Sequence, residues 1–325
     1  MHAIVHHRYG TPDVLQWLEM EKPEPGAGEV LVRVHAAAVN PYDWHFLRGT
    51  PVFIRAFTGL RKPKSPRLGA DAAGIVEAAG TGTERLKPGD KVFGICKGAF
   101  ADYACAKESE LAVMPPDLTF AQAASVPIAG VTALQGLRDS GQVKAGQTVL
   151  INGAAGGVGT FAVQIAKALG ANVTGVCSTR NREMVLSLGA DRVIDYTHED
   201  FTRIPASFDV IFDLVGNHSL SAMRHALTPR GALVGCGGGG PDEPSGKLLA
   251  GMLGQAVAAR FSRQKLTGVF AKVNTDDLNV LARMLASGAV KPVLDRSYPL
   301  RETADAIRYV EGCHARGKVT ISVAE

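Results

Sequence analysis

The stretch Thr148-Val149-Leu150-Ile151-Asn152-Gly153-Ala154-Ala155-Gly156-Gly157-Val158-Gly159 decides how this chain folds. Residues 148–151 are apolar and rich in β-branched side chains, the composition of a buried strand. A glycine-rich turn follows. From 158 to 169 the apolar residues recur at helical spacing, and 172–177 form the next strand-like run. A strand that passes through glycines into a helix, with a second strand behind it, is the setting of a dinucleotide-binding turn. Glycines let the backbone turn sharply and approach a diphosphate. The helix then offers unpaired amides and the positive end of its dipole to the phosphates. Ala155, Gly156, Gly157, Val158 and Gly159 are the expected cradle, with Gly159 permitting close helix–strand packing. Ala154 stands where the plain G-x-G-x-x-G pattern has its first glycine, so the match is to a variant.

The end of the second strand discriminates between coenzymes. An acid there binds the ribose 2′-hydroxyl of NAD. Here the strand runs into Cys177-Ser178-Thr179-Arg180-Asn181-Arg182, and no acid precedes Glu183. Hydroxyls and guanidinium groups suit a 2′-phosphate, because arginine forks charge-assisted hydrogen bonds onto phosphate oxygens. Ser178, Thr179 and Arg180 are read as that site, although Ser178 and Thr179 also suit capping of the next helix. NADPH rather than NADH is the expected cofactor. Gly216, Gly235, Cys236 and Gly237 follow later strand-like runs, where an open α/β sheet holds its ligand.

Outward from this motif, residues 123–261 alternate strand-like and helical segments, the pattern of a parallel, doubly wound α/β sheet. Residues 1–122 differ. Short runs rich in Val and Ile at 3–6, 29–37, 74–79 and 91–95 are separated by turns such as Lys87-Pro88-Gly89-Asp90, which suggests a β-barrel. Residues 262–325 return to mixed structure, with helices expected at 276–286 and 302–311 and a strand at 318–323. A doubly wound unit between unlike flanks predicts a discontinuous first domain that the C-terminal segment completes.

Composition narrows the function classes. A chain of 325 residues, 46% hydrophobic, supplies two ordinary domain cores. The net charge of +4 is mild. The longest basic cluster, Arg61, Lys62, Lys64 and Arg67, reads as a solvated loop or an anion-attracting rim rather than the basic stripe of a nucleic-acid binder. Five cysteines, none close to another, argue against a disulfide framework and for a reducing, cytoplasmic compartment. No apolar run reaches the length of a membrane span, and the first residues lack a signal-peptide pattern.

Further motifs stand in order along the chain: Pro25-Gly26-Ala27-Gly28-Glu29-Val30-Leu31-Val32, Ala38-Val39-Asn40-Pro41, Leu68-Gly69-Ala70-Asp71-Ala72-Ala73-Gly74, Gly130-Val131-Thr132-Ala133 and Gly317-Lys318-Val319. Together with the glycine turn they resemble the quinone oxidoreductase (zeta-crystallin-like) branch of the medium-chain dehydrogenase/reductase superfamily, over essentially the whole chain. The resemblance implies a GroES-like β-barrel substrate domain, a Rossmann domain and a homodimer. Zinc-dependent relatives carry a cysteine near position 40 and a Gly-His-Glu ligand motif near 69–71; this chain has Asn40 and Ala70. Cys96 and Cys105 are what stands near the family's four-cysteine lobe, without C-x-x-C spacing, and read better as small buried hydrophobes. No metal is expected.

In Asn40-Pro41-Tyr42-Asp43-Trp44-His45, the resemblance makes His45 a hydrogen-bond donor or proton source for a substrate, or else a contact of the nicotinamide ribose or carboxamide. Asn40 is a second candidate donor, or a turn residue before Pro41. By the same resemblance Thr132 lies near the nicotinamide and phosphates, or is an ordinary helix residue; Lys318 lies near the cofactor end of the cleft, and Tyr196 near the adenine ribose phosphate. Lys318 also reads as a solvated lysine ahead of an edge strand. Asp71, His35 and Asp213 are read as structural. The apolar residues at 51–60 suit barrel packing or the mouth of a site for bulky apolar substrates.

Without a metal to polarise a carbonyl, the implied chemistry is NADPH-dependent hydride transfer to an activated C=C bond (an enone or enal) or to a quinone. Metal-free carbonyl reduction or alcohol dehydrogenation, and a non-catalytic NADPH-binding structural or interaction role, are the alternatives.

Overall fold

The computed structural model describes residues 1–237, 246, 251, 254 and 258–323. The chain divides into two units. One comprises Met1–Val131, Val273–Gly288 and Pro292–Glu325; the other comprises Thr132–Lys272 and Ala289–Lys291. The first unit is thus discontinuous, and its divisions at 131/132 and 272/273 differ from the boundaries at 122/123 and 261/262 expected from sequence.

In the first unit, β1 (His2–Val5) and β2 (Gln16–Glu19) form an antiparallel pair. The main sheet is built on β3 (Glu29–Val39), which pairs with β4 (Asp71–Ala79) and β6 (Tyr103–Lys107). β5 (Lys91–Ile95) and β7 (Leu111–Val113) extend it beyond β4. Val30, Val32, Val34 and Ala37 of β3 enter a core with Phe100, Leu111 and Trp44. After β3, Pro41 at the first helical position starts α1 (Pro41–Arg48), and Gly49 ends it with φ 61°. A short helix α2 (Arg55–Thr58) follows. Thr119 and Gln122 cap each other reciprocally at the start of α3 (Phe120–Ala124), which packs on β3 and β4. Next comes α4 (Pro127–Gln135). The packing of α3 keeps residues up to Val131 with the barrel, past the expected boundary at 122.

The second unit holds a parallel sheet of β8 (Thr148–Asn152), β9 (Asn172–Cys177), β10 (Arg192–Asp195), β11 (Phe208–Asp213), β12 (Leu227–Gly235) and β13 (Lys265–Gly268). Among the described residues its order is β10-β9-β8-β11-β12-β13, the Rossmann order. Val149, Leu150 and Ile151 are fully buried, as expected for a strand covered on both faces. The expected strands are present, with ends shifted by up to about five residues; β2, β6, β7, β13 and the later strand Leu294–Pro299 are not among those expected, and β13 lies in the segment assigned from sequence to the barrel. It pairs in parallel with β12, Ala232 opposite Lys265, so the Rossmann sheet continues past residue 261. Gln164 of α5 (Gly157–Ala168) bonds both ways to the backbone of Lys291, which draws Ala289–Lys291 into the same unit.

The chain then returns to the barrel. β14 (Leu294–Pro299) pairs with β15 (Lys318–Ser322), and β15 pairs antiparallel with β3. This last pairing sets Val319 opposite Val39 and carries Lys318 to the end of β3. No described helix is long and apolar enough to cross a membrane.

Candidate active site

In the second unit β8 ends at Asn152, whose side-chain amide donates to Asp213 Oδ1 at 2.8 Å. The same carboxylate oxygen accepts from the amides of Val215 and Gly216, so Asp213 shapes the turns after both β8 and β11. This agrees with the reading of Asp213 as structural; its partner Asn152 could not be named from sequence, because the two meet only through the pairing of their strands. Beyond Asn152 the backbone turns at Gly153 with φ 87°, a conformation that strains any side chain with a Cβ. The left-handed position thus precedes Ala154, which explains why alanine is tolerated there. A Cβ on Gly159 would lie 2.1 Å from the Gly153 carbonyl oxygen, so close packing dictates glycine. A Cβ on Gly156 would meet nothing nearer than that same oxygen at 3.5 Å and would project into the open space above the turn. Gly156 also occupies the N-cap of α5, with no side-chain cap over the helix end. The amides of Gly157, Val158 and Gly159 have no acceptor within the helix. An uncapped helix start roofed by glycine fits a diphosphate.

The corner after β9 is more selective than the sequence suggested. The Thr179 hydroxyl donates to Asp195 Oδ2 at 2.5 Å. The amide and hydroxyl of Thr197 donate to Asp195 Oδ1 at 3.0 and 2.7 Å. These donors, Thr179 foremost, hold the Asp195 carboxyl down at about 2. The reading of Thr179 as a phosphate ligand is corrected accordingly: its proton is committed to Asp195. Ser178 does not cap the following turn; its oxygen accepts from Asn181 Nδ2 at 3.3 Å, which leaves its own O–H to donate. Arg180 and Tyr196 are exposed at the same corner. Ser178, Arg180, Arg182 and Tyr196 place further polar side chains at this corner. At the end of β12, Gly235 leads to Cys236, whose amide donates to the Asp213 carbonyl, and to Gly237, with φ 73°. Burial pushes the Cys236 thiol up to about 11, so it stays neutral. Thr132 is buried on α4.

In the first unit a buried polar cluster replaces the expected free donors. Lys318 is 3% exposed, on a strand between β14 and β3, so it is not a solvated lysine at an edge. Its ammonium donates to Asn40 Oδ1 at 2.5 Å and to the Val39 carbonyl at 3.3 Å, and lies 3.7 Å from Asp71 Oδ2. Asn40 Nδ2 donates to Asp71 Oδ2 at 2.9 Å and to the Ala38 carbonyl at 3.3 Å. Both N–H bonds of that amide are used. Asn40 therefore has none for a substrate oxygen, and the reading of it as a donor is corrected; it links Lys318 to Asp71. Asp71 Oδ1 accepts from the Ile128 amide at 3.0 Å. Asp43, on α1, accepts from the Asn40 amide at 2.7 Å, while its Oδ1 has no hydrogen-bond partner in the structure.

Burial dominates the charges here. It lifts Asp71 to about 6 against the pull of Lys318, and Asp43 to about 8. It also lowers the Lys318 pKa, against the pull of Asp71 and Asp43. A carboxyl raised in the folded state holds its proton after the unfolded chain has lost its own near 3.8. Stability from this source is full below that pH and falls as pH rises toward the folded value. Asp71 contributes over roughly pH 4–6 and Asp43 continues to about 8. Wild-type unfolding free energy should fall between pH 6 and 8 by an amount on the order of a few kcal/mol. Asp43→Asn should flatten that limb in chemical denaturation series; an unchanged slope would refute the assignment.

His45 sits at the other end of α1. Its Nδ1 lies 2.7 Å from the Thr50 carbonyl oxygen, which can only accept, so Nδ1 carries the proton. Burial lowers its pKa below the ordinary 6.5, which favours the neutral ring. Neutral His45 offers a lone pair at Nε2 and no second N–H. Accepting from a ribose hydroxyl or carboxamide suits it better than donating to a substrate oxygen. Barrel packing holds for only part of the stretch at 51–60: Pro51 is buried and Ile54 half-buried, while Val52, Phe53, Phe57 and Leu60 are exposed.

A family model described as an alcohol dehydrogenase GroES-like domain matches residues 26–116, and one described as a zinc-binding dehydrogenase matches residues 188–321. A quinone-oxidoreductase homolog of Spinacia oleracea chloroplasts is 32% identical over 99% of this chain and 98% of that protein. The chain belongs to the quinone oxidoreductase branch of the medium-chain dehydrogenase/reductase superfamily. A chloroplastic NADPH-dependent alkenal/one oxidoreductase of Arabidopsis thaliana is 35% identical over 99% of this chain and 79% of that protein. The structure of the quinone oxidoreductase from Coxiella burnetii superimposes with a TM-score of 0.87 at 31% identity, covering 100% of this chain and 99% of that one.

The matched description invokes zinc, and the residues of this quinone oxidoreductase relative do not fit it. Ala70 and Asn40 offer no thiolate or imidazole, and the Lys318 ammonium already occupies the polar face of Asn40 and Asp71. A dication there would meet a buried positive charge. Cys96 is buried in the apolar core and Cys105 is buried with its thiol donating to the Glu24 carbonyl at 3.5 Å; burial raises both thiols. Among the described residues no three His, Cys, Asp or Glu side chains gather as a metal site. The glycine turn and the Ser178–Arg180 corner, by contrast, fit a phosphorylated dinucleotide.

Proposed function

We propose that this protein is an NADPH-dependent, zinc-independent reductase of activated C=C bonds (enones and enals) or quinones. The observation that carries the reading is the Lys318 ammonium bonded to Asn40, which fills with a lysine the place where a metal-assisted enzyme needs a cation with open coordination. The relatives named as quinone and NADPH-dependent alkenal/one oxidoreductases support the substrate class.

Bound NADPH supplies a hydride to the electrophilic carbon or quinone. The chain supplies the rest. Amides of Gly157, Val158 and Gly159 bind the diphosphate, while Ser178, Arg180 and Tyr196 take the 2′-phosphate. Gly216, Gly235, Cys236 and Gly237, at strand ends, form the floor along which the cofactor extends. Thr132 is assigned to the nicotinamide end. His45 Nε2 accepts from a ribose hydroxyl or carboxamide and orients the ring. Lys318, through Asn40, fixes the junction of β3 and α1 and so positions His45, rather than touching the cofactor itself. An enolate left by hydride addition is protonated by water, since His45 is neutral.

NADPH oxidation with a panel of enones, quinones and simple ketones, with products weighed by mass spectrometry, tests this. Saturation of C=C or quinone reduction, unaffected by chelators, is expected. Exclusive C=O reduction, chelator-sensitive turnover, or no turnover with any acceptor would refute it. Arg180→Ala should weaken NADPH by about 10- to 100-fold, the worth of a charge-assisted hydrogen bond, and NADH hardly at all. Equal losses by titration calorimetry would remove Arg180 from the phosphate site. The proposal includes a homodimer in a reducing, cytoplasmic compartment. All five cysteines are unpaired, in keeping with that compartment, and light scattering of the purified protein tests the dimer.

A further inference from the structure

Residues 51–67 combine exposed apolar side chains with exposed cations. Val52, Phe53, Phe57 and Leu60 expose 59, 45, 78 and 75% of their surface within nine positions. Single exposed apolar residues are ordinary, but four large ones on one short segment are not. The segment is anchored. The Tyr9 hydroxyl donates to the Gly59 carbonyl at 2.6 Å and also meets Thr58 Oγ1. Arg55 donates inward to the Gly49 and Arg48 carbonyls and stacks on Tyr9. The Lys64 amide donates to the Thr58 carbonyl at 2.7 Å. The fold therefore holds the segment around α2 in place with Val52, Phe53, Phe57 and Leu60 exposed.

Charge accompanies the apolar residues. Arg61, Lys62 and Lys64 are exposed immediately after Leu60, and no Asp or Glu occurs from Trp44 to Ala70. Apolar side chains beside exposed cations, with no acid among them, match an anionic bilayer surface: rings and aliphatic chains enter the acyl boundary while the cations meet lipid phosphates. A nucleic acid would use the cations and leave the four apolar side chains in water.

We infer that residues 52–64 dock the protein peripherally on anionic membranes. The inference does not depend on the reductase reading, because its readout is binding alone. The test is flotation of the full chain with phosphatidylcholine vesicles, with and without phosphatidylglycerol. Binding to the anionic vesicles only, reversed by high salt, is expected. Combined Arg61→Gln, Lys62→Gln and Lys64→Gln should lower partitioning on the order of 100-fold. Combined Phe57→Ser and Leu60→Ser should lower it about tenfold or more. Circular dichroism checks that both variants fold. Absence of binding to anionic vesicles, or unchanged binding by either variant, would overturn the proposal. Loss with the charge variant alone would mean a contact to any polyanion, and a smaller oligomer for Phe57→Ser/Leu60→Ser by light scattering would mean that a second copy covers the patch; either overturns it.

Discussion

Replacing Lys318 with methionine is expected to destabilise the protein by about 3–5 kcal/mol in chemical denaturation followed by circular dichroism. The side chain fits the space, but the ammonium disappears from between Asn40 Oδ1, the Val39 carbonyl and Asp71. Asp71, wholly buried, then loses the cation that holds its pKa down to about 6, so it must take up a proton at neutral pH, and Asn40 Oδ1 loses its donor. Lost attraction is the smaller part of the cost; the larger part is neutralising or desolvating the carboxyl left behind and leaving a buried acceptor unsatisfied. Asp71→Asn in the Lys318→Met background should recover much of the loss, giving a strong coupling in a double-mutant cycle. A loss below about 1 kcal/mol, the worth of an exposed ion pair, would show that the cluster is not buried in solution.

The second large effect concerns the glycine turn, where two neighbouring substitutions should separate packing from binding. Gly159→Ala drives a Cβ to 2.1 Å from the Gly153 carbonyl oxygen and 2.8 Å from Ala154, both backbone, so α5 must move off the turn. A stability loss of about 1–3 kcal/mol is expected. NADPH affinity should fall on the order of 100-fold, because the amides of the helix start no longer converge. Gly156→Ala adds a Cβ that meets only an oxygen at 3.5 Å, at an extended φ of −80° and ψ of 178°, so folding should be unaffected. Its methyl projects over the turn, and NADPH affinity should fall without a change in melting temperature. Calorimetric titration and thermal melts of both variants are the measurements. Normal NADPH affinity in Gly156→Ala would place the diphosphate elsewhere.

The parts legible in the chain alone are those whose physics is local. Branched apolar runs, a glycine turn and a helical repeat announced β8, α5 and β9 to within a residue or so, since backbone preference and burial pattern are written in consecutive residues. The end of β9 showed its lack of an acid the same way. Sequence reading failed where partners are distant. Asp195 follows Thr179 by 16 residues yet takes its proton, because β10 pairs beside β9 with Asp195 opposite Cys177. The strand at 265–268 was missed because four residues with one buried apolar side chain give little periodicity.

Sequence by itself determined the pairing of a GroES-like with a Rossmann fold, the glycine turn between β8 and α5, the missing acid at the end of β9 and the lack of zinc ligands at Asn40 and Ala70, because each depends on residue type within a short window. Tertiary structure alone decided that Lys318 is buried and bonded to Asn40, 278 residues away, since only the pairing of β15 with β3 brings them together. It likewise decided that Phe57 and Leu60 face outward, because burial depends on what the rest of the chain leaves uncovered.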